Sequence, residues 1–272
     1  MQSTPSHNLP VEHPLWPESQ TPFASEADGE LPRLTLYLPS EEYRTGQTVL
    51  ILPGGGYGMV STPKEGHRPA QYFNAHGIAA AVLEYRHAPQ RHPVPLCDAQ
   101  RAMKLLRHWA TTNGLHPNQT GVMGFSAGGH LAASLATQPE VVETRVGDEL
   151  DPVSWYPDFT VLIYPVVSLT APYSHFGSRD NLLGIPADPD LAEKLSIEKA
   201  VTSNTSPMFI VHAQNDGGVP VANALELTRA LTEKGVAADL HVYNSGGHGF
   251  GMADNHEWGP TLLRWLDKKT SL

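Results

Sequence analysis

The sequence predicts an α/β protein: a mostly parallel, doubly wound sheet flanked by helices, with a small cap insertion. Three observations point to it. Short apolar runs alternate with amphipathic helical stretches along most of the 272 residues, as in a parallel sheet whose strands are buried on both faces. One irregular interval, about residues 169–206, breaks that rhythm just after a strand run, where ligand sites form in open parallel sheets. A serine also sits between glycines where a strand run gives way to a helical run, in GVMGFSAGGHLAASLA (121–136). The length suits one domain with a substantial core, read here as a single domain over 1–272.

Along the chain, residues 1–30 are polar and proline-rich and read as an extended arm lying on the domain. They lack the basic start and apolar core of a secretory signal, so a cytoplasmic location is expected, or a secreted one if a leader was trimmed. Strand runs follow at RLTLYL, TVLILP, IAAAVLEY, TGVMGF, TVLIYPVV, PMFIVHA and ADLHVY. Among the helical runs, DAQRAMKLLRHWATTNG places Ala99, Ala102, Met103, Leu106, Trp109 and Ala110 on one face. Asp98 reads as its cap and Gly114 as its stop. VANALELTRALTEKG and HEWGPTLLRWLDKK repeat the pattern. Within the interval 169–206 a helix is expected near PDLAEKLSIEKA, and the interval reads as a small cap over the site.

Composition narrows the function. The formal net charge is −10 and no basic run occurs, which argues against nucleic acid and anionic membrane as partners. No window approaches the length of an apolar membrane span. Cys97 is the only cysteine, so an internal disulfide and a cysteine zinc cluster are both excluded, and the thiol reads as an inert small side chain. No metal or cofactor is expected.

The glycine-flanked serine carries the chemistry. Gly124-Phe125-Ser126-Ala127-Gly128 is a G-x-S-x-G nucleophile elbow set between strand and helix. The turn would project the Ser126 hydroxyl above the sheet, and the helix starting there aims free N–H groups at an oxyanion formed nearby. A serine hydroxyl needs a base, itself oriented by an acid, and on this elbow the chain order is serine, acid, histidine. Asp216 follows the strand run MFIVHA, and His248 lies in the glycine-rich NSGGHGFG after ADLHVY. His212 and His130 lie inside a strand run and the elbow helix, where packing or hydrogen bonding is the expected role. The glycines of LILPGGGYG, directly after a strand, would let backbone approach the substrate, which assigns oxyanion donors to Gly55 or Gly56 and to Ala127. No Gly-Lys-Ser/Thr follows them, which sets aside a phosphate-cradling loop.

In this order PGGGY, EYR, GFSAGGH, ND..VP and GGHGF resemble the α/β-hydrolase esterases. Among these the chain looks most like the bacterial acetyl-xylan and related carbohydrate esterases of the feruloyl-esterase-like branch, near the hormone-sensitive-lipase group. The likeness runs from about Leu15 to Trp265. It implies Ser126 as nucleophile, Asp216 as acid partner, His248 as base and oxyanion donors around Gly55, Gly56 and Ala127. Pro53 stands where the lipase group usually has a histidine before the glycines, which favours the carbohydrate-esterase branch.

The residues themselves give serine hydrolase chemistry, and only the resemblance suggests sugar esters. Tyr57, Trp155, Tyr156, Tyr173 and Phe176 are the expected substrate-binding aromatics, with His175 among them, since aromatic faces pack on sugar rings. The expected substrate is a short-chain, acetyl ester of a sugar or xylo-oligosaccharide. A general carboxylesterase or lipase, a serine peptidase and a catalytically inert binding module are the rival readings.

Overall fold

The computed structural model describes residues 9–24, 32–137, 145–252 and 257–270. The chain opens with strand β1 (Val11–Pro14), then β2 (Arg33–Tyr37) and β3 (Thr48–Leu52). A six-residue π-helical turn (Thr62–His67) leads into α1 (Arg68–Ala75), followed by β4 (Ala79–Glu84), α2 (Val94–Thr112), β5 (Thr120–Phe125) and α3 (Ser126–Thr137). After β6 (Thr160–Ile163) come three short helices, α4 (Phe176–Leu183), α5 (Pro189–Lys194) and α6 (Ile197–Ala200). The chain closes with β7 (Met208–Ala213), α7 (Ala222–Glu233), β8 (Ala238–Tyr243) and α8 (Trp258–Thr270).

The eight strands form one sheet in the order β1-β2-β4-β3-β5-β6-β7-β8. β1 and β2 pair antiparallel, as do β2 and β4, and every other pair is parallel. Side chains alternate across the pleat and so divide the core in two. Leu50, Leu52, Ala81, Leu83, Val122, Leu162 and Ile210 face the layer made by α2, α3 and α7. Val49, Ile51, Ala80, Val82, Met123, Phe125, Ile163 and Val211 face Ala70 and Phe73 of α1 and Trp258, Leu262 and Trp265 of α8. This is the expected doubly wound arrangement. Among the described residues, no helix is long and apolar enough to cross a membrane.

Three expectations are corrected. Asp98 is no cap, because α2 begins at Val94, with Pro95 tolerated in its first turn where no N–H partner is needed. Its fully buried carboxylate instead accepts from Arg86 Nη2 at 2.7 Å, Arg86 Nε at 3.0 Å and Trp16 Nε1 at 2.9 Å. Burial pushes that carboxyl up, against the pull of Arg86. Part of the 1–30 arm belongs to the sheet, since Val11–Pro14 pair with Arg33–Leu36 and Leu15 and Trp16 enter the core. The interval 169–206 holds three helices rather than one, and Leu182, Ala192, Leu195 and Ile197 pack into the same core as α2 and α3. Cys97 is a buried thiol, and no disulfide involves it.

Candidate active site

Every parallel strand delivers its C-terminal end to the same edge, so the loops after β3, β5, β7 and β8 converge there. The turn from β5 into α3 is tight because of its glycines. A Cβ on Gly124 would lie 2.1 Å from Gly128 O, and one on Gly128 would lie 2.1 Å from Leu52 O and 2.4 Å from Pro53 O. Only bare glycine lets helix and strand come that close. Ser126 between them has φ +52, a left-handed conformation that L side chains rarely adopt. That backbone lifts Oγ off the sheet while the residue remains 6% exposed.

His248 Nε2 lies 2.9 Å from Ser126 Oγ, and His248 Nδ1 lies 2.8 Å from Asp216 Oδ2. Asp216 is itself fixed. Its Oδ1 accepts from Gly218 N at 2.9 Å and Val219 N at 2.8 Å, which forms the turn after β7. His212 Nε2 donates to Val219 O at 2.8 Å and lies 3.4 Å from Asp216 Oδ2. Burial would raise the Asp216 carboxyl, but hydrogen bonds from His212, His248 and Val219 outweigh it and hold the group well below the usual carboxylate range. An ionised acceptor keeps the His248 proton on Nδ1 and leaves the Nε2 lone pair toward the serine. The histidine side chain is 31% exposed, so a substrate can reach it.

The glycine run after β3 lies beside the elbow, since a Cβ on Gly54 would sit 2.9 Å from Ser126 Cβ. Gly55 (φ +137) and Gly56 (φ +64) take conformations that favour glycine. Among the described residues their N–H groups meet no protein acceptor. Ala127 N–H lies in the first turn of α3, where no intrahelical acceptor exists. The three expected oxyanion donors are therefore all uncommitted backbone amides. The cap steadies the loop: Asn181 Nδ2 of α4 donates to Gly56 O at 2.8 Å.

The expected aromatics divide. Tyr173 is half-buried and Phe176 is 47% exposed, at the cap's entry to α4, where Arg179 lies 4.7 Å over the Phe176 ring. Tyr57 does not face outward. It is 1% exposed, and its hydroxyl meets His130 Nδ1 at 2.9 Å inside the core. Trp155 and Tyr156 lie at the opposite end of the sheet. Their segment is held by Arg107, and the next residues bond Thr120 at the start of β5. Tyr156 Oη also lies within hydrogen-bond reach of two carbonyls, Ala136 O and Asn204 O, which share its one proton. Both residues precede β6, which carries the chain across the sheet before the cap begins. Of the expected set His175 does border the site, and so does one residue outside it, Glu65. His175 lies against Gly56 through its Cε1 and takes its N-cap bond from Ser178 N at Nδ1, so its proton sits on Nε2. Burial, then the neighbouring His248, lower its pKa. Glu65 underlies the glycine loop, accepting from Gly54 N at 2.8 Å.

Fold and site together define the α/β-hydrolase class. Within that class, the BD-FAE family profile matches residues 34–231, and the chain belongs to that family. It is 34% identical over 238 residues to an acetylxylan esterase of Xylanibacter ruminicola, covering 86% of this chain and 47% of that protein. It is also 34% identical over 246 residues to endo-1,4-beta-xylanase B of Butyrivibrio fibrisolvens, covering 89% of this chain and 38% of that one. The chain thus spans less than half the length of these two curated relatives. Its structure is similar to that of an acetyl ester-xyloside bifunctional hydrolase from Caldicellulosiruptor lactoaceticus, with TM-score 0.89, 37% identity and 96% of each chain covered.

Proposed function

We propose that this chain is a serine esterase that releases short acyl groups, acetyl foremost, from sugars or xylo-oligosaccharides. The observation that carries the chemistry is the hydrogen-bonded line from Ser126 Oγ through His248 to Asp216. Ser126 Oγ attacks the ester carbonyl carbon as its proton passes to His248 Nε2. The carbonyl oxygen takes the negative charge and accepts from Ala127 N and from Gly55 or Gly56 N. The tetrahedral intermediate collapses, the C–O bond to the alcohol breaks, and the imidazolium returns its proton to the leaving oxygen. Water, deprotonated by His248, then cleaves the acyl–Ser126 ester and frees the carboxylic acid. Asp216 stays ionised throughout and compensates the imidazolium charge.

The substrate class has separate support. The acetylxylan esterase and the acetyl ester-xyloside hydrolase above are both similar to this chain. The cap is small, and near its start the half-buried His175 lies against Gly56, with Tyr173 and Phe176 beside it in sequence. Rings and hydrogen-bond donors of this kind suit sugar faces and hydroxyls.

A fluorophosphonate probe should label the wild-type protein at Ser126 and leave Ser126→Ala unlabelled. Ser126→Ala and His248→Ala should each remove most of the turnover, with Asp216→Asn about as damaging, leaving a residue of roughly 10³-fold over water. kcat/KM should fall from p-nitrophenyl acetate to butyrate to octanoate, with acetic acid released from acetylated xylo-oligosaccharides. A preference for octanoate, or no release from the sugars, would move the chain to a general carboxylesterase. Turnover by folded Ser126→Ala near the wild-type rate would refute the mechanism.

A further inference from the structure

The geometry points to Glu65 as a positioning residue whose one buried carboxylate holds both the oxyanion loop and the histidine loop. This rests on the esterase reading above. Glu65 is 6% exposed and sits in the π-helical turn Thr62–His67, a conformation rare in helices and frequent at functional sites. Among the described residues no cation pairs with it. A buried carboxylate without a counter-ion is costly unless strong hydrogen bonds compensate it. Both of its oxygens are so occupied, each by a different loop.

Oε2 accepts from Gly54 N at 2.8 Å, and Oε1 accepts from the Tyr164 hydroxyl at 2.7 Å. The Tyr164 oxygen in turn accepts from Gly251 N at 3.1 Å, three residues past His248. With Glu65 ionised, the two backbone amides donate and the Tyr164 hydroxyl gives its one proton to Oε1. The Tyr164 ring lies edge-on to the His248 ring at 5.0 Å and 63°, and packs on Phe250 at 4.6 Å. At the other oxygen, the Gly54 α-carbon is wedged between Glu65 and the elbow. A Cβ there would lie 2.7 Å from Glu65 Oε2, 2.8 Å from Phe125 O and 2.9 Å from Ser126 Cβ. The next two peptides carry Gly55 N and Gly56 N. A shift of the Gly54 anchor therefore moves the oxyanion donors, and a shift of the Tyr164 anchor moves the wall behind the base.

The loss should appear in the transition state and not in binding. Removing one oxyanion donor outright costs roughly 10²–10³ in kcat, so misplacing donors through their anchor should cost about 10- to 100-fold. Glu65→Gln keeps one acceptor and turns a second donor toward Tyr164, Glu65→Leu keeps neither acceptor, and Tyr164→Phe cuts only the histidine side. The experiment measures kcat and KM for p-nitrophenyl acetate, the rate of fluorophosphonate labelling and Tm for wild type and each variant. Expected is a graded fall in kcat, wild type above Glu65→Gln above Glu65→Leu, with KM within about 2-fold, labelling slowed in parallel and Tyr164→Phe also reduced. A merely structural carboxylate would lower Tm and leave the kcat of folded protein unchanged. Folded Glu65→Gln and Tyr164→Phe with kcat within 2-fold of wild type overturn the assignment. If the Glu65 variants do not fold, Tyr164→Phe alone decides it by the same criterion. A wild-type protein that neither turns over ester nor takes the probe would instead sink the esterase reading itself.

Discussion

His130 should make the protein acid-sensitive well above the carboxylate range. Its ring is 1% exposed between the elbow helix and the cap. Nε2–H donates to Leu195 O at 2.9 Å, so Nδ1 is the acceptor for the Tyr57 hydroxyl at 2.9 Å. Both nitrogens are satisfied by the neutral ring, and burial, partly opposed by the Leu195 carbonyl, lowers its pKa from 6.5 to about 4. Above pH 6.5 neither the folded nor the unfolded chain protonates this group, and the neutral ring's full contribution is present. Between 6.5 and 4 the unfolded chain binds a proton that the folded chain refuses, so stability falls as pH falls. The full linkage is about 3 kcal/mol near pH 4, of which about 2 kcal/mol is already lost at pH 5. Urea unfolding of wild type and His130→Gln at pH 7.5, 6.5, 5.5 and 5 isolates the effect. Glutamine does not titrate, so any constant offset from its poorer fit drops out, and the difference in unfolding free energy between the two proteins should shrink by about 2 kcal/mol toward pH 5. A difference that stays flat within about 0.5 kcal/mol over this range would refute the reasoning.

Gly128→Ala should destabilise by more than about 3 kcal/mol or yield no soluble protein, because the added carbon meets two backbone oxygens that cannot move aside. Gly114→Ala, which meets nothing within 4 Å and pays only for φ +68, should cost about 1 kcal/mol, and the pair is compared by thermal and urea melts. Asp98→Asn should cost about 3–5 kcal/mol in the same melts, since it removes the charged acceptor that faces the buried Arg86 guanidinium. EDTA should leave turnover of p-nitrophenyl acetate unchanged, as no group of three or more metal-ligating side chains is gathered among the described residues.

The central strands were legible because a parallel sheet buried on both faces writes itself as short apolar runs, and TGVMGF coincides with the fully buried β5 to the residue. The half-exposed edge strand β8 also matches ADLHVY, whereas the exposed β1 gave no such run and was missed. The Ser126, Asp216 and His248 side chains, read from motif order, come together in space because three loops share one edge of the sheet. Tertiary partners were harder to see. Asp98 ahead of an amphipathic run has the local look of a cap, and only the fold reveals Arg86 and Trp16 across from it. Trp155 and Tyr156 stand next to the cap in sequence, yet the four residues of β6 lie between them and it, roughly 13 Å of extended chain. Glu65 carried no signal, because TPKEGH has the composition of a surface loop. Its importance comes from a π-helical turn that periodicity does not announce.

The strand Val11–Pro14 has a consequence for how molecules meet one another. β2 lies two strands from β3 and pairs on one side with β4, and β1 occupies its other side. All four residues of β1 are exposed, and it is short, carries Glu12 and ends in Pro14. Shortness, charge and proline are what discourage one sheet from recruiting another through its open edge. β2, by contrast, is mostly buried and apolar at Leu34 and Leu36. A chain lacking residues 9–17 would present that strand bare, beside the hollow left by Leu15 and Trp16. Such a chain would tend to pair with its own copies. The segment thus acts as a hem that ends the sheet, and the protein's resistance to aggregation should depend on it more than its four paired residues suggest.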